Sequence, residues 1–333
     1  MPLNNHKVLI IGLGSMGKRR IRNLLFWGLS KQQIFGLDTS LARCREAAKE
    51  YGIKTFDVFN KADKEIDPDV YIICTSPLRH HEYFLHAAKK KKHFFVEATT
   101  ATVGYAELKP LLDGSFVAAP SCTFRHFPAV KKIKELLSSG AIGKSLVFNH
   151  YLGQYLPDWH PYEDYRQVYF SKKDTGGARE MFPYELVWLT GIFKSSVKKV
   201  TGVRGRISDL EITADDIYSS IVQFENGVVG SMMIDLLNRK ACRTIKIIGT
   251  VGTLDWNWLE KEIKIFNIKN NNTEIVNLDG GKKIGQYNTE EDAYEAEIGD
   301  FLQAIAGKKK YLYSFPEDEA ILKCLDSFID IGQ

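Results

Sequence analysis

The sequence predicts an α/β fold: an N-terminal Rossmann-type, doubly wound parallel sheet, followed by an α+β domain with a large, open, mostly antiparallel sheet. Three observations carry this reading. Lys7 is followed by the apolar run Val8-Leu9-Ile10-Ile11, which passes directly into Gly12-Leu13-Gly14-Ser15-Met16-Gly17 and then a basic amphipathic segment, the strand–turn–helix order of a dinucleotide-binding turn. Up to residue 122 short apolar runs alternate with helical periodicity, as parallel strands joined by crossover helices require. Beyond residue 200 β-rich runs separated by turn residues dominate.

The elements follow in order. In the opening turn Gly12 permits the sharp bend, Gly14 lets backbone approach a pyrophosphate and Gly17 lets helix pack on strand. The N–H groups of Gly14, Ser15, Met16 and Gly17 would then meet diphosphate charge at a helix N-terminus. A second strand at 33–37 ends at Asp38, about 20 residues past the last glycine, where a carboxylate can hold both ribose hydroxyls and repel a 2′-phosphate. NAD is therefore the expected cofactor and NADP the less expected one, although Arg43 lies close by in sequence. Further strands are expected at 69–74, 93–96 and 116–119. Ligands gather at the carboxyl ends of such strands, which puts Thr75, Pro77 and Glu97 beside the nucleotide.

The second half opens with a helix at 128–138 and a strand at 144–152, then an irregular polar and aromatic segment and a helix at 183–193. Strands are expected at 217–224, 228–236, 244–248 and 262–268, the first two joined by the tight turn Glu225-Asn226-Gly227. Helices at 292–306 and 316–331 would brace this sheet, the last opened by Pro316. The domain boundaries expected are 1–122 for nucleotide binding and 123–333 for substrate binding and oligomerisation.

Composition narrows the function classes. With 45 basic and 41 acidic residues the charge is too balanced for a nucleic-acid surface, and the clusters at 89–92 and 308–310 read as solvated helix ends. Five widely spaced cysteines without a C-x-x-C pair fit a reducing compartment. No apolar run reaches the roughly 20 residues of a membrane helix, so a cytoplasmic protein without a membrane partner is expected.

The glycine turn, Pro77-Leu78-Arg79-His80-His81, Glu97 and Arg125-His126-Phe127-Pro128 occur in an order that resembles the Gfo/Idh/MocA family of oxidoreductases over nearly the whole chain. The resemblance implies hydride transfer at a ring carbon of a sugar or nucleotide sugar, a position near the nicotinamide or the domain crossover for His81, and Arg125 at the crossover as a substrate contact. It also implies a homodimer or homotetramer, since members commonly pair through the open sheet. Two motifs depart from the family. The Glu-Lys-Pro triplet reads Glu97-Ala98-Thr99, and alanine cannot titrate. The glycine motif reads Thr175-Gly176-Gly177-Ala178-Arg179-Glu180-Met181-Phe182-Pro183-Tyr184-Glu185, and the family histidine falls on Tyr184 or Glu185. Losing a positioned acid or base typically costs about 10²- to 10⁴-fold in rate. Tyr184, Glu185 and Glu180 are therefore the candidate proton carriers, Glu185 as an ionised base in the first helical turn after Pro183.

The loop containing Trp159, His160, Tyr165 and Arg166 combines aromatic faces with hydroxyl-binding groups, as a sugar site needs, and an oligomer contact has the same composition. His80, His81 and His86 are not spaced as ligands on one helix face, and no metal is expected. The reading reached is an NAD-dependent oxidoreductase of a sugar-like substrate with substitute acid–base groups. Its alternatives are a lyase, epimerase or glycoside-cleaving enzyme with retained NAD, or a catalytically silent NAD-binding subunit.

Overall fold

The computed structural model describes residues 6–159, 164–174, 176–269, 271–278, 281 and 291–332. It divides into two compact units, Met1–Thr123 with Lys282–Glu319, and Phe124–Gly281 with Ala320–Gln333.

The first unit holds a six-stranded, wholly parallel sheet made of β1 (Val8–Ile11), β2 (Ile34–Leu37), β3 (Lys54–Phe56), β4 (Val70–Ile73), β5 (His93–Val96) and β6 (Ala118–Pro120). Their order is β3-β2-β1-β4-β5-β6. The order in which strands are added reverses between β1 and β4, the switch point outside which nucleotides bind in such sheets. Every residue of β1 and β4 is buried, as strands covered by helices on both faces must be. The covering helices are α1 (Ser15–Phe26), α2 (Leu41–Tyr51), α3 (Phe59–Ile66), α4 (His80–Lys89) and the short α5 (Tyr105–Leu108).

The second unit begins with α6 (Pro128–Ser138), which the sequence places at the same residues, then β7 (Ser145–Gly153), α7 (Ala178–Phe193), β8 (Val197–Gly205), β9 (Ile217–Phe224), β10 (Val229–Asp235), β11 (Cys242–Gly249), β12 (Gly252–Asn257), β13 (Glu262–Asn267) and β14 (Asn272–Asn277). With β15 (Ile329–Asp330) these form a nine-stranded sheet ordered β14-β13-β12-β11-β7-β10-β9-β8-β15. Two of its pairings, β7 with β10 and β8 with β15, are parallel and the others antiparallel. Alternate residues Tyr218, Ser220, Val222 and Phe224 of β9 are buried, while Ile221 between them is 48% exposed. One face thus carries the core, built with Phe148, Phe193 and Phe224 in ring contact, and the other is open.

Three expectations are corrected. The helix expected at 183–193 begins at Ala178, and Pro183 lies inside it. Proline at that position forgoes one N–H bond to a carbonyl four residues back, a defect the helix absorbs because its flanks are packed: Phe182, Pro183 and Leu186 are all buried. The helix expected at 292–306, α8 (Asp292–Ile305), does not brace the second sheet but belongs to the first unit, where it packs on α1. The last helix, α9 (Phe315–Asp326), stops early, and the chain continues as the edge strand β15 beside β8. Among the described residues no helix is long and apolar enough to cross a membrane.

Candidate functional site

In the first unit β1 delivers the chain to Gly12, whose φ of +93° suits glycine alone; a Cβ there would lie 2.5 Å from the carbonyl oxygen of Cys74. At Gly17 a Cβ would fall 1.9 Å from the carbonyl oxygen of Gly12, so turn and helix touch backbone to backbone. Gly14 differs: nothing lies within 4 Å of its would-be Cβ. Beyond that open space α1 begins with no side-chain cap and no acidic residue in its first turn, which leaves the N–H groups of Ser15, Met16 and Gly17 and the positive end of the helix dipole for an anion.

Asp38 ends β2 as expected, 8% exposed. Its Oδ2 accepts the Leu13 N–H at 2.8 Å, its Oδ1 the Ser40 N–H at 2.8 Å, and Arg43 stands 3.6 Å away. Backbone donors thus fix the carboxylate beside the glycine turn, as a ribose-binding acceptor must be fixed. After β4, the Thr75 hydroxyl is buried without a partner, while its carbonyl accepts the Nε2–H of His80 at 2.9 Å. Burial pushes His80 down to about 4, so its ring is neutral. His81 lies against Gly104, where a Cβ would meet its own at 2.5 Å, and its Nδ1 is buried unpartnered. The open Gly14, the uncapped α1 and the unpartnered Thr75 hydroxyl fit a dinucleotide.

Glu97 follows β5, and its carboxylate accepts from the buried Arg20 at 2.6 and 3.2 Å, which ties the end of β5 to α1. His86 stands 3.1 Å from Asp63, which also accepts from Lys90 and Tyr71. Among the described residues no group of three His, Cys, Asp or Glu side chains could hold a metal ion.

In the second unit the three candidate proton carriers all lie on α7, and the helix separates them. Glu180 and Tyr184 are one turn apart and share a face. Glu180 is 4% exposed; its Oε1 accepts the Tyr169 hydroxyl at 3.0 Å and its Oε2 is buried with no partner among the described residues. Burial raises its pKa to about 8, the single bond from Tyr169 offsetting only part of that. A carboxyl of that kind keeps its proton at neutral pH, and such displaced values cluster at functional sites.

Glu185, expected as an ionised base in the first helical turn after Pro183, keeps its charge but lies one turn further along the helix than expected. It is fully buried in the second turn of α7 and accepts His150 Nε2–H at 2.8 Å, Trp188 Nε1–H at 2.7 Å and Arg243 Nη2–H at 2.9 Å. Burial alone would raise its pKa, but Arg243 and these donors draw it down to about 2. His150 faces acceptors with both nitrogens, the other being the Thr244 carbonyl at 2.8 Å. Glu185 is thus a sealed ionic link between α7 and strands β7 and β11.

The expected sugar contacts also find protein partners. Arg125 donates to the Val187 carbonyl at 2.8 Å and the Thr190 hydroxyl at 3.1 Å, clamping α7. Trp159 and Tyr165 pack on a satellite core of Leu156, Leu210, Ile212, Ala214 and Leu236, although the Trp159 Nε1–H is buried unpartnered. Arg166 pairs with Asp164 and Glu211 at the surface, and His160 lies outside the described residues. A concavity of about 640 Å³ on the open sheet face, flanked by Asn149, Lys246, Asp255 and Lys264, is lined by none of the α7 candidates. Sequence reasoning missed Tyr169, which only the fold brings to Glu180.

Residues 6–133 match the oxidoreductase family described as NAD-binding Rossmann fold, and residues 130–255 match the GFO/IDH/MocA C-terminal domain. The chain belongs to the GFO/IDH/MocA family of oxidoreductases. Its first unit is that family's NAD-binding Rossmann fold. Relatives include a levoglucosan dehydrogenase of Pseudarthrobacter phenanthrenivorans, 25% identical over 78% of this chain and 75% of that protein. A trans-1,2-dihydrobenzene-1,2-diol dehydrogenase of Bos taurus is 25% identical over 68% of this chain and 67% of its own. The solved structure of a levoglucosan dehydrogenase with NADH and levoglucosan superposes with a TM-score of 0.79 at 20% identity, covering 97% of this chain and 95% of that one. The two chains share one fold.

Proposed function

We propose that this chain is an NAD-dependent dehydrogenase of a small, polyhydroxylated, sugar-like substrate in which Glu180 and Tyr184 take over the proton transfer usually given to lysine and histidine. The observation that carries it is the Glu180 carboxyl: buried, pushed to about 8, with one oxygen left without a partner. The levoglucosan dehydrogenase relative supports a carbohydrate-like substrate. The fixed carboxylate of Asp38 supports NAD over NADP.

Bound NAD would supply the hydride acceptor, or as NADH the donor. Gly14, Ser15, Met16 and Gly17 would hold its diphosphate, Asp38 its ribose, and Thr75, Pro77 and His81 would line its far end. The chain's own contribution is the proton. When a substrate carbonyl is reduced, protonated Glu180 donates through Oε2 to the forming hydroxyl; in oxidation the ionised form takes the proton back. Tyr184, one turn on, orients the hydroxyl from the same helix face.

Two measurements test this. Gly17→Ala is expected to abolish NAD uptake in calorimetry, because its Cβ cannot coexist with the Gly12 carbonyl oxygen; uptake at the native affinity would remove the assigned nucleotide turn. With NAD and a panel of pyranoses and anhydrosugars, NADH absorbance should appear, and Glu180→Gln should slow it by about 10²- to 10⁴-fold while NAD affinity stays the same. Unchanged turnover in that variant would remove Glu180 from the chemistry.

A further inference from the structure

Among the described residues Glu180 has a single hydrogen-bond partner, Tyr169, and the way the chain holds that partner is unusual. Tyr169 sits in the helical turn Tyr169–Ser171, 47% exposed, with its hydroxyl on the buried Oε1 of Glu180. Its ring stacks on Phe170 at 4.1 Å, and Phe170 meets Trp159 edge-on at 4.8 Å. The turn is pressed against the start of α7: a Cβ at Gly176 would lie 2.3 Å from the Cα of Phe170, so only glycine lets the two backbones come together. Ser171 anchors the same turn, its hydroxyl donating to the carbonyls of Arg166 and Val168 and its carbonyl accepting the N–H groups of Thr213 and Ala214. Neighbouring charges are directed elsewhere. Lys172 reaches the Arg166 carbonyl, Arg179 the Asp174 carbonyl, and the Asp216 carboxylate takes the N–H groups of Ile207 and Ser208. Asp215 lends its carbonyl to the Ala178 N–H.

From this geometry we infer that Tyr169 is the positioning residue of Glu180 and its route for proton exchange with water. The inference rests on the reading that Glu180 carries the reaction's proton. The transfer balances without a further reactant: once Oε2 has given its proton to substrate, the Tyr169 O–H bond breaks as its proton passes to Glu180 Oε1, the same phenol oxygen takes a proton from water or buffer, and a half-turn about the Cγ–Cδ bond exchanges the two oxygens so that the protonated one again faces the substrate. The reverse sequence returns it. The phenol also sets the acidity of Glu180, because its hydrogen bond favours the ionised carboxyl while burial opposes it.

Infrared titration of the whole protein, without substrate, reads this directly. The wild type should show a protonated carboxylic acid band that persists at neutral pH and that Glu180→Gln deletes. In Tyr169→Phe the band should remain and its titration midpoint should rise by about one pH unit, the size of one hydrogen bond to a charged group. Gly176→Ala should move it in the same direction by displacing the turn while leaving both partners intact. Measured with substrate, the pH dependence of kcat should shift with the band in Tyr169→Phe, a change that loss of packing alone would not produce. A band that Glu180→Gln removes but Tyr169→Phe leaves at the same midpoint overturns the role of Tyr169 and spares the assignment of Glu180. A neutral-pH band absent from the wild type, or unaffected by Glu180→Gln, overturns both. NAD calorimetry on the same samples keeps either result separate from cofactor binding.

Discussion

Arg20→Met is expected to lower stability by about 3–5 kcal/mol, seen as a large drop in the urea midpoint. Arg20 is fully buried on α1 and joins two carboxylates: Glu97 at the end of β5, at 2.6 Å, and Glu297 on α8, at 2.8 Å. Its guanidinium also lies over the Phe95 ring at 4.6 Å. Methionine fills much of the volume but leaves two carboxylates in a low-dielectric interior without their cation, which is where the expected loss arises. Replacing the three charges together by apolar groups would not restore the fold. Glu297 also accepts the Ser121 hydroxyl, the Cys122 N–H and the Thr123 hydroxyl, and those donors would then be stranded. A midpoint within experimental error of wild type would show that this cluster does not hold α8 to the Rossmann unit.

That cluster also marks where sequence reading stopped. The glycine turn, the strand ending at Asp38 and the parallel strands were legible because each is a local pattern of a few residues. The allegiance of α8 was not, since it depends on Arg20 meeting Glu297 across 277 positions of sequence, and the amphipathic pattern of a helix does not say which sheet it covers. Pro183 read as a helix start, its commonest place, yet α7 begins at Ala178. The shift moved Glu180 into the first turn and Glu185 into the second. Trp159 and Tyr165 have the composition of a sugar platform, and in the structure they are partly buried and pack against a small core that includes Leu156 and Leu210.

The choice among Tyr184, Glu185 and Glu180 was open in the sequence because the family histidine fell on no single residue, and only the structure puts both glutamates on one helix. Their partners separate them, and the separation predicts opposite responses to pH. Glu180 has a folded pKa near 8 against about 4.5 when unfolded. A raised value means that its contribution is whole below pH 4.5 and is lost as pH rises through 8, by about 1.4 kcal/mol for each unit between them. Glu180→Gln, neutral at every pH, should therefore melt close to wild type at pH 4 and several degrees above it at pH 8, while turnover falls. Glu185 has the reverse sign. Its folded value is drawn to about 2, so its stabilisation is present above pH 4.5 and lost as pH falls through 2. Glu185→Gln should melt well below wild type at pH 8, since Arg243 and His150 lose the carboxylate they share, and the deficit should narrow in acid. Melting curves for both variants at the two pH values decide the matter. A Glu180→Gln protein that loses stability at pH 8 would mean that its carboxyl is ionised and paired in the fold, and so could not be the acid. The gain expected instead is that of a group kept buried for its chemistry at the expense of the fold, whereas Glu185 is kept for the fold itself.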